Sequence, residues 1–117
     1  MNTGLVVAIL FAFSQLESSG GRVVRDNGDS VGEYQLTRIF VREVNRVSRR
    51  AFKMEDRRDR FKSEEIIREW LNGVHEDNLF KLGLRYRCGK VGRKAAGSSE
   101  REYARSFVNL VKDRIGD

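Results

Sequence analysis

An unbroken apolar run from Leu5 to Phe13 is the feature that most restricts what this chain can fold into. The run is too short to cross a bilayer, which needs about 20 apolar residues in a helix. No Lys or Arg precedes it, so the positive segment that opens a secretory signal peptide is missing. A helix that is apolar on nearly every side belongs in the middle of a core. We therefore predict a buried central helix over Leu5–Ser18, which Asn2 or Thr3 can cap.

A carboxylate stands at the end of this predicted helix. Glu17 follows the apolar run and precedes Gly20 and Gly21, which end the helix. Apolar surroundings and the negative end of a helix both disfavour a charged carboxylate, so we expect the pKa of Glu17 to be raised. A carboxyl group that stays protonated near neutral pH can donate a proton to a glycosidic oxygen. A glutamate at a helix end is also a common solvated surface residue, so position alone assigns no role.

Four more helices are predicted from caps and apolar spacing further along the chain. They run from Thr37 to about Arg49, from a cap at Ser63, from Asn78 to Arg87, and from Ser99, where Glu102 completes a capping box. Between the first two helices, the stretch 22–35 predicts a small β-hairpin around an Asn27-Gly28 turn. The densely charged stretch 49–62 predicts a surface connection. The expected fold class is therefore α+β, predominantly α, with a β-hairpin lobe and about five helices.

Length and composition set further limits. The 117 residues suit a single compact domain, 1–117. The formal charge of +6 and the pI of about 9.9 indicate an anionic partner, and nucleic acid, a membrane surface and the bacterial cell wall all qualify. Cys88 is the single cysteine and His75 the single histidine, so neither an intrachain disulfide nor a Cys/His metal cluster can form. We expect no metal and no cofactor.

Two segments in the first third of the chain carry a recognisable pair of motifs. The stretch 17–21, ESSGG, has the shape E-S-x-G, and the stretch 30–35, SVGEYQ, has the shape S-x-G-x-x-Q. In this order they resemble the first two motifs of the transglycosylase SLT domain, in the lysozyme-like superfamily. The stretch 40–46 and the charged stretch 54–63 are similar to segments of short phage-type and prophage-type members. LRYRCG, at 84–89, sits where those members carry an Arg-x-Trp-Asn-Gly-Gly-like third motif, so the resemblance runs from about Leu5 to Lys112.

The resemblance implies a lysozyme-like fold and an enzyme that cleaves peptidoglycan. Its substrate would be the β-1,4 bond between N-acetylmuramic acid and N-acetylglucosamine, and Glu17 would be the catalytic acid. Ser30 and Gln35 match residues that line the cleft and hold the N-acetyl sugar or position the acid. Tyr86 is the best match for the third-motif aromatic residue that packs near the acid.

The outcome of that reaction depends on a second carboxylate. If a second carboxylate is present, it activates water or stabilises the positive charge on the sugar, and the glycosidic bond is hydrolysed. Asp26 and Asp29 are the candidates, and the spacing from Glu17 to Asp26 matches the Glu-x8-Asp step of phage lysozymes. Without one, the sugar's own 6-hydroxyl attacks and leaves a 1,6-anhydro end, which is the lytic transglycosylase outcome and the one that the motif pattern favours. Both aspartates are also good turn formers.

Departures from the family pattern leave other functions open. Cys88 stands where Asn is usual, and Glu33 and Tyr34 replace a more apolar pair, so a catalytically impaired wall-binding or phage structural module is one alternative. A basic nucleic-acid-binding helical protein is another, suggested by the charge and the basic stretch 85–94. The enzyme hypothesis expects a monomer that binds glycan strands and no nucleic acid. It would act on the cell wall or in the periplasm, as a phage- or prophage-encoded protein released without a signal peptide.

Overall fold

The computed structural model describes residues 1–26, 28–92 and 96–116, and the side chains of all of these except 90–92. The described residues form five α-helices and one 3-10 helix, and no β-strand occurs among them. In chain order the elements are α1 (Thr3–Ser18), α2 (Arg38–Ser48), the 3-10 helix (Met54–Arg58), α3 (Arg60–Val74), α4 (Leu79–Gly92) and α5 (Ser98–Ile115). The protein is therefore mainly α.

The predicted β-hairpin lobe is wrong, and with it the α+β class. In the place expected for paired strands, Val31 and Leu36 make one isolated antiparallel bridge. The reason lies in the backbone between them, since Gly32 has a φ of 83° and Gln35 a φ of 51°. These left-handed conformations turn the chain back at once, so it cannot extend into two strands. Of the predicted Asn27-Gly28 turn, Asn27 lies outside the described residues.

Side-chain caps explain where three of the helices begin, and those of α1 and α2 are caps that the sequence predicts. Asn2 Oδ1 accepts a hydrogen bond from Leu5 N at 2.8 Å in the first turn of α1. Thr37 Oγ1 accepts from Phe40 N at 3.1 Å at the start of α2. Asn78 caps α4 in the same way. Each cap satisfies a backbone donor that the first turn of a helix leaves unpaired.

Two other predicted helix starts are wrong. Helix α3 is capped by Asp59, whose Oδ1 accepts a hydrogen bond from the backbone of the first turn, and not by Ser63. Helix α5 is capped at Gly97 and not at the predicted Ser99, and Glu100, whose Oε1 accepts from Gly97 N at 3.0 Å, takes the place predicted for Glu102. In both segments several polar side chains within a few residues can cap a helix, and the spacing of apolar residues does not choose among them.

The chain divides into two compact units, Met1–Ala12 with Glu76–Asp117, and Phe13–His75. The division does not test the prediction of one domain over 1–117, which stays a prediction. In the first unit, α4 packs tightly against α5 at a glycine. A Cβ on Gly83 would lie 3.0 Å from the ring of the fully buried Phe107. The small residue therefore sets how closely these two helices approach.

The second unit has its own apolar core. Phe13 is fully buried, and Trp70 contacts its ring edge-on at a centroid distance of 6.3 Å and that of Phe40 at 5.4 Å. Helices α2 and α3 contribute further buried side chains, namely Val41, Val44, Ile66, Ile67 and Leu71. The C-terminal turns of α1, where the sequence places the catalytic acid, belong to this unit.

Candidate active site

The C-terminal end of α1 closes in a left-handed turn. Ser19 and Gly20 have φ angles of 53° and 73°, and their backbone N–H groups donate to Gln15 O at 3.0 Å and Ser14 O at 3.1 Å. These bonds satisfy carbonyls that the last turn of a helix leaves without partners. Glu17 lies on this turn and is partly buried. The helix therefore ends where the sequence predicts, just beyond the proposed acid.

The second motif lies in a closed loop, residues 28–36, which we call the 28–36 loop. Two hydrogen bonds of 3.1 Å join the backbones of Val31 and Leu36 and close it. Gln35 donates to Gly32 O twice, from its backbone N at 3.1 Å and from its side-chain Nε2 at 2.9 Å. Gln35 thus stabilises the loop itself, a role that the resemblance did not imply. Ser30 is partly buried beside Val31 at the start of the closure.

Glu33 joins the 28–36 loop to helix α1. The Ser14 hydroxyl donates to Glu33 Oε2 at 2.5 Å. On the other side, a Cβ added to Gly21 would lie 3.2 Å from the Glu33 carboxyl carbon, so the loop after the helix also contacts this carboxylate. Ser14 and Glu17 are three residues apart, which places them next to each other on one helix face. The two motifs that the sequence separates therefore meet at the end of α1.

A buried arginine holds the 28–36 loop from the opposite side. Arg57 is 6% exposed, and its Nη1 donates to Asp29 O at 2.7 Å and to Leu36 O at 3.2 Å. Its Nε donates to Met54 O at 2.8 Å within the 3-10 helix. Burial, followed by repulsion from Arg38, lowers the pKa of Arg57. The stretch 49–62 is therefore more than the surface connection that its charge predicted.

Gly32 fits directly against the backbone of Arg57. A Cβ on Gly32 would lie 1.9 Å from Arg57 O, a distance at which the two groups would overlap. Together with its φ of 83°, this contact makes position 32 one that only glycine can occupy without a shift of the loop. The glycine of the S-x-G-x-x-Q pattern thus has a packing role in this protein.

The two aspartates considered as second carboxylates support the loop. Asp26 Oδ1 accepts from Gly32 N at 3.0 Å, and its Oδ2 pairs with Arg58. The Gly32 hydrogen bond, followed by that of Arg58, lowers the pKa of Asp26. Asp29 Oδ1 accepts from Arg38 N at 3.4 Å, at the first residue of α2. These bonds agree with the turn-forming role that the sequence left open for both residues.

A network of charged side chains surrounds Glu33. Arg60 Nε lies 3.6 Å from Glu33 Oε1 and 3.4 Å from Glu64 Oε2. Tyr34, which is 1% exposed, donates its hydroxyl to Glu64 Oε2 at 2.9 Å. Burial, followed by the hydrogen bond to Glu64, raises the pKa of Tyr34. The polar pair that departs from the family pattern is therefore fully engaged with α1 and α3.

The third-motif residues belong to the other compact unit. Tyr86 is partly buried on α4 and is not among the residues that the unit Phe13–His75 brings together. Gly89, with φ 75° and ψ −177°, interrupts the regular helix of α4 shortly after Cys88. Of the basic loop predicted beyond it, residues 93–95 lie outside the described residues.

Comparisons with models of known families, with curated proteins and with solved structures found no match to this chain. Among the described helices, none is both long and apolar enough to cross a membrane. Within residues 1–26, 28–92 and 96–116, no cluster of His, Cys, Asp or Glu could hold a metal ion. A surface cavity of about 340 Å³ lies between Arg50 and Lys62, and none of its lining residues belongs to either motif.

Gly32→Ala should destabilise the protein by about 3 kcal/mol or more, because it adds a clash with the Arg57 carbonyl to the cost of a left-handed backbone. Gly28→Ala is the matched control, since Gly28 also has a positive φ, of 61°, but nothing lies within 4 Å of an added Cβ. The control should lose only about 1 kcal/mol. Urea denaturation measures both, and equal losses would contradict the contact.

Arg57→Lys should lower the free energy of unfolding by about 2–3 kcal/mol, because the single nitrogen of an ammonium group cannot reach carbonyls that two separate guanidinium nitrogens bind. Arg58→Lys changes the neighbouring arginine, whose side chain is 63% exposed, and should have far less effect. Urea denaturation of the two variants side by side tests this. Similar losses in both would mean that Arg57 is not the anchor of the loop.

Asp26→Asn should make stability less sensitive to acid. The pKa of Asp26 is lowered in the folded protein from an ordinary value of 3.8. Such a carboxylate stabilises the fold above about pH 4, and the contribution is lost as the pH falls through the folded pKa. The melting temperature of the wild type should therefore fall more steeply than that of the variant between about pH 4 and pH 2. Parallel curves in thermal denaturation across this range would refute the expectation.

Proposed function

We propose that this protein is a peptidoglycan-cleaving glycosidase, acting on the β-1,4 bond between N-acetylmuramic acid and N-acetylglucosamine. One observation supports it above the others, the 2.5 Å hydrogen bond from Ser14 to Glu33 that docks the 28–36 loop on the last turns of α1. The two motifs that resemble the SLT domain therefore lie side by side.

Glu17 acts as the general acid in this proposal. It donates a proton to the glycosidic oxygen as the bond to the sugar breaks and positive charge develops on the ring. Its partly buried position on the final turn of α1 suits a carboxyl group that must reach a substrate and still be shielded from bulk water. Gly20 and Gly21 follow directly, and the space beside them is filled by the side chains of Gln15 and Glu33 respectively.

The 28–36 loop forms the facing wall of the proposed groove. Ser30 and Gln35 line it on the basis of the resemblance, and the hydrogen bonds of Gln35 to Gly32 O keep the loop in one conformation. A preformed wall avoids the entropy cost of ordering a loop when substrate binds. Tyr86 enters the proposal through the resemblance alone.

The positive charge of the chain agrees with an anionic cell wall as the surface on which the protein acts. A net charge of +6 raises the rate of encounter with a polyanion at low salt. Nucleic acid would be attracted by the same charge, but a nucleic-acid-binding role gives no reason for the docking of the two motifs. We therefore propose peptidoglycan glycan strands as the partner.

Glu17→Gln should abolish the release of soluble fragments from purified sacculi, with a rate loss of about 10²–10⁴-fold, because a neutral amide cannot donate the proton. Glu55→Gln is the control, since Glu55 is an exposed glutamate on the 3-10 helix, outside both motifs. The control should keep the wild-type rate. Both variants should unfold at wild-type urea concentrations.

Two outcomes of this experiment would overturn the proposal. Release by Glu17→Gln at the wild-type rate would show that Glu17 is not the acid. No release by the wild type, together with tight sedimentation of the protein with the sacculi, would identify a wall-binding module that does not cleave.

A further inference from the structure

Glu33 is a carboxylate at a position where the motifs that this chain resembles carry a more apolar residue. Its side chain is 11% exposed, so it is largely shielded from water. One carboxylate oxygen accepts the Ser14 hydroxyl at 2.5 Å, and the other lies 3.6 Å from Arg60 Nε. A glutamate in this position is held in one place by groups on two helices, α1 and α3.

Helix geometry brings Glu33 close to Glu17. Residues three apart on a helix have Cβ atoms about 5–6 Å apart, which is the separation expected for Ser14 and Glu17. Side chains on a helix tilt toward its N-terminus, and from Glu17 this is the direction of the turn that carries Ser14. Glu33 binds Ser14 from the loop side. Glu33 and Glu17 therefore both lie at the last turns of α1.

The other candidates for a second carboxylate are occupied in supporting the loop. Asp26 binds Gly32 N and Arg58, and Asp29 binds Arg38 N at the start of α2. Glu33 differs from both because its hydrogen-bond partner, Ser14, is on α1 itself, one turn before Glu17.

We propose that Glu33 is the second carboxylate of the site and the base that activates water, an inference that rests on the proposed function. The enzyme would then hydrolyse its substrate. Protonated Glu17 gives its proton to the glycosidic oxygen, the bond from that oxygen to C1 of N-acetylmuramic acid breaks, and N-acetylglucosamine leaves with a free 4-hydroxyl. A water oxygen bonds to C1, and the Glu33 carboxylate accepts the water's proton. Transfer of this proton through solvent to Glu17 restores both groups, with one water consumed.

The guanidinium of Arg60 lies beside the Glu33 carboxylate. Its negative charge is the largest influence raising the pKa of Arg60, ahead of the hydrogen bond from Arg60 to Glu64. Arg60 is 62% exposed and its Nε lies 3.6 Å from Glu33 Oε1, so solvent weakens this ion pair. A fixed anion here would also stabilise the positive charge that develops on the sugar.

Glu33→Gln tests the inference because the amide oxygen can still accept the Ser14 hydrogen bond while the charge is lost. Muropeptides released from purified sacculi are analysed by mass for reducing or 1,6-anhydro ends, and rates are normalised to folded protein measured by urea denaturation. The wild type should release reducing ends. Glu33→Gln should lose about 100-fold or more of this product, with anhydro ends in what remains, because attack by the 6-hydroxyl needs only Glu17.

Two further variants separate a chemical role from a structural one. Glu64→Gln removes a charge from the same Arg60 network but not from the contact with α1, and should release reducing ends at close to the wild-type rate. Glu33→Asp keeps a carboxylate, so its product should still carry reducing ends, at a reduced rate. A structural role alone would lower the activity of Glu33→Asp and Glu33→Gln alike and leave the type of product unchanged.

The outcomes distinguish failure of this inference from failure of the proposed function. Anhydro ends as the only wild-type product, or reducing ends from Glu33→Gln at the wild-type rate, would overturn the role of Glu33 and leave Glu17 as the acid. No release by the wild type at all would overturn the proposed function and the role of Glu33 with it.

Discussion

The arrangement at the end of α1 depends on the contact between the 28–36 loop and Arg57. The guanidinium satisfies two carbonyls of the loop, and the carbonyl of Arg57 itself fills the space that a side chain at Gly32 would need. A buried cation is costly unless its donors are paired, and here they are, so loop and 3-10 helix fix one another. With the loop held on this side, Glu33 is directed at Ser14 on the other.

The charged side chains around the loop divide into two groups with different consequences. Asp26 and Arg58 pair at the exposed flank, where the ion pair and the Gly32 hydrogen bond hold the loop closed. Glu33 lies toward α1, where its neighbours are a serine hydroxyl and the loosely placed Arg60. Of these side chains, Glu33 is the one that the loop places against the last turns of α1. An acid and a fixed anion, held by different elements, form the minimum that glycoside hydrolysis requires.

Local signals in the sequence predicted the parts of the fold that local physics determines. Asn2 and Thr37 cap helices as expected, since a cap depends on a side chain and the turn that follows it. Valines around an Asn-Gly pair suit β-strands, and for this reason the sequence predicts a hairpin. The prediction is wrong because packing sets the left-handed conformations of Gly32 and Gln35. The burial of Arg57 could not be foreseen, because two of its three acceptors are carbonyls 28 and 21 residues away in the chain. Ser14 was the available signal for the contact with Glu33. Its hydroxyl is buried in an apolar helix, and buried hydroxyl groups in proteins have hydrogen-bond partners.

The most direct measurement of the central claim is a crystal structure of Glu17→Gln with a tetrasaccharide of alternating N-acetylglucosamine and N-acetylmuramic acid. If Glu17 is the general acid, we expect the glycan in a groove between the end of α1 and the 28–36 loop. A glycosidic oxygen should then lie about 3 Å from the side chain at position 17. A glycan bound elsewhere on the protein, or a side chain at position 17 directed away from it into solvent, would contradict the account.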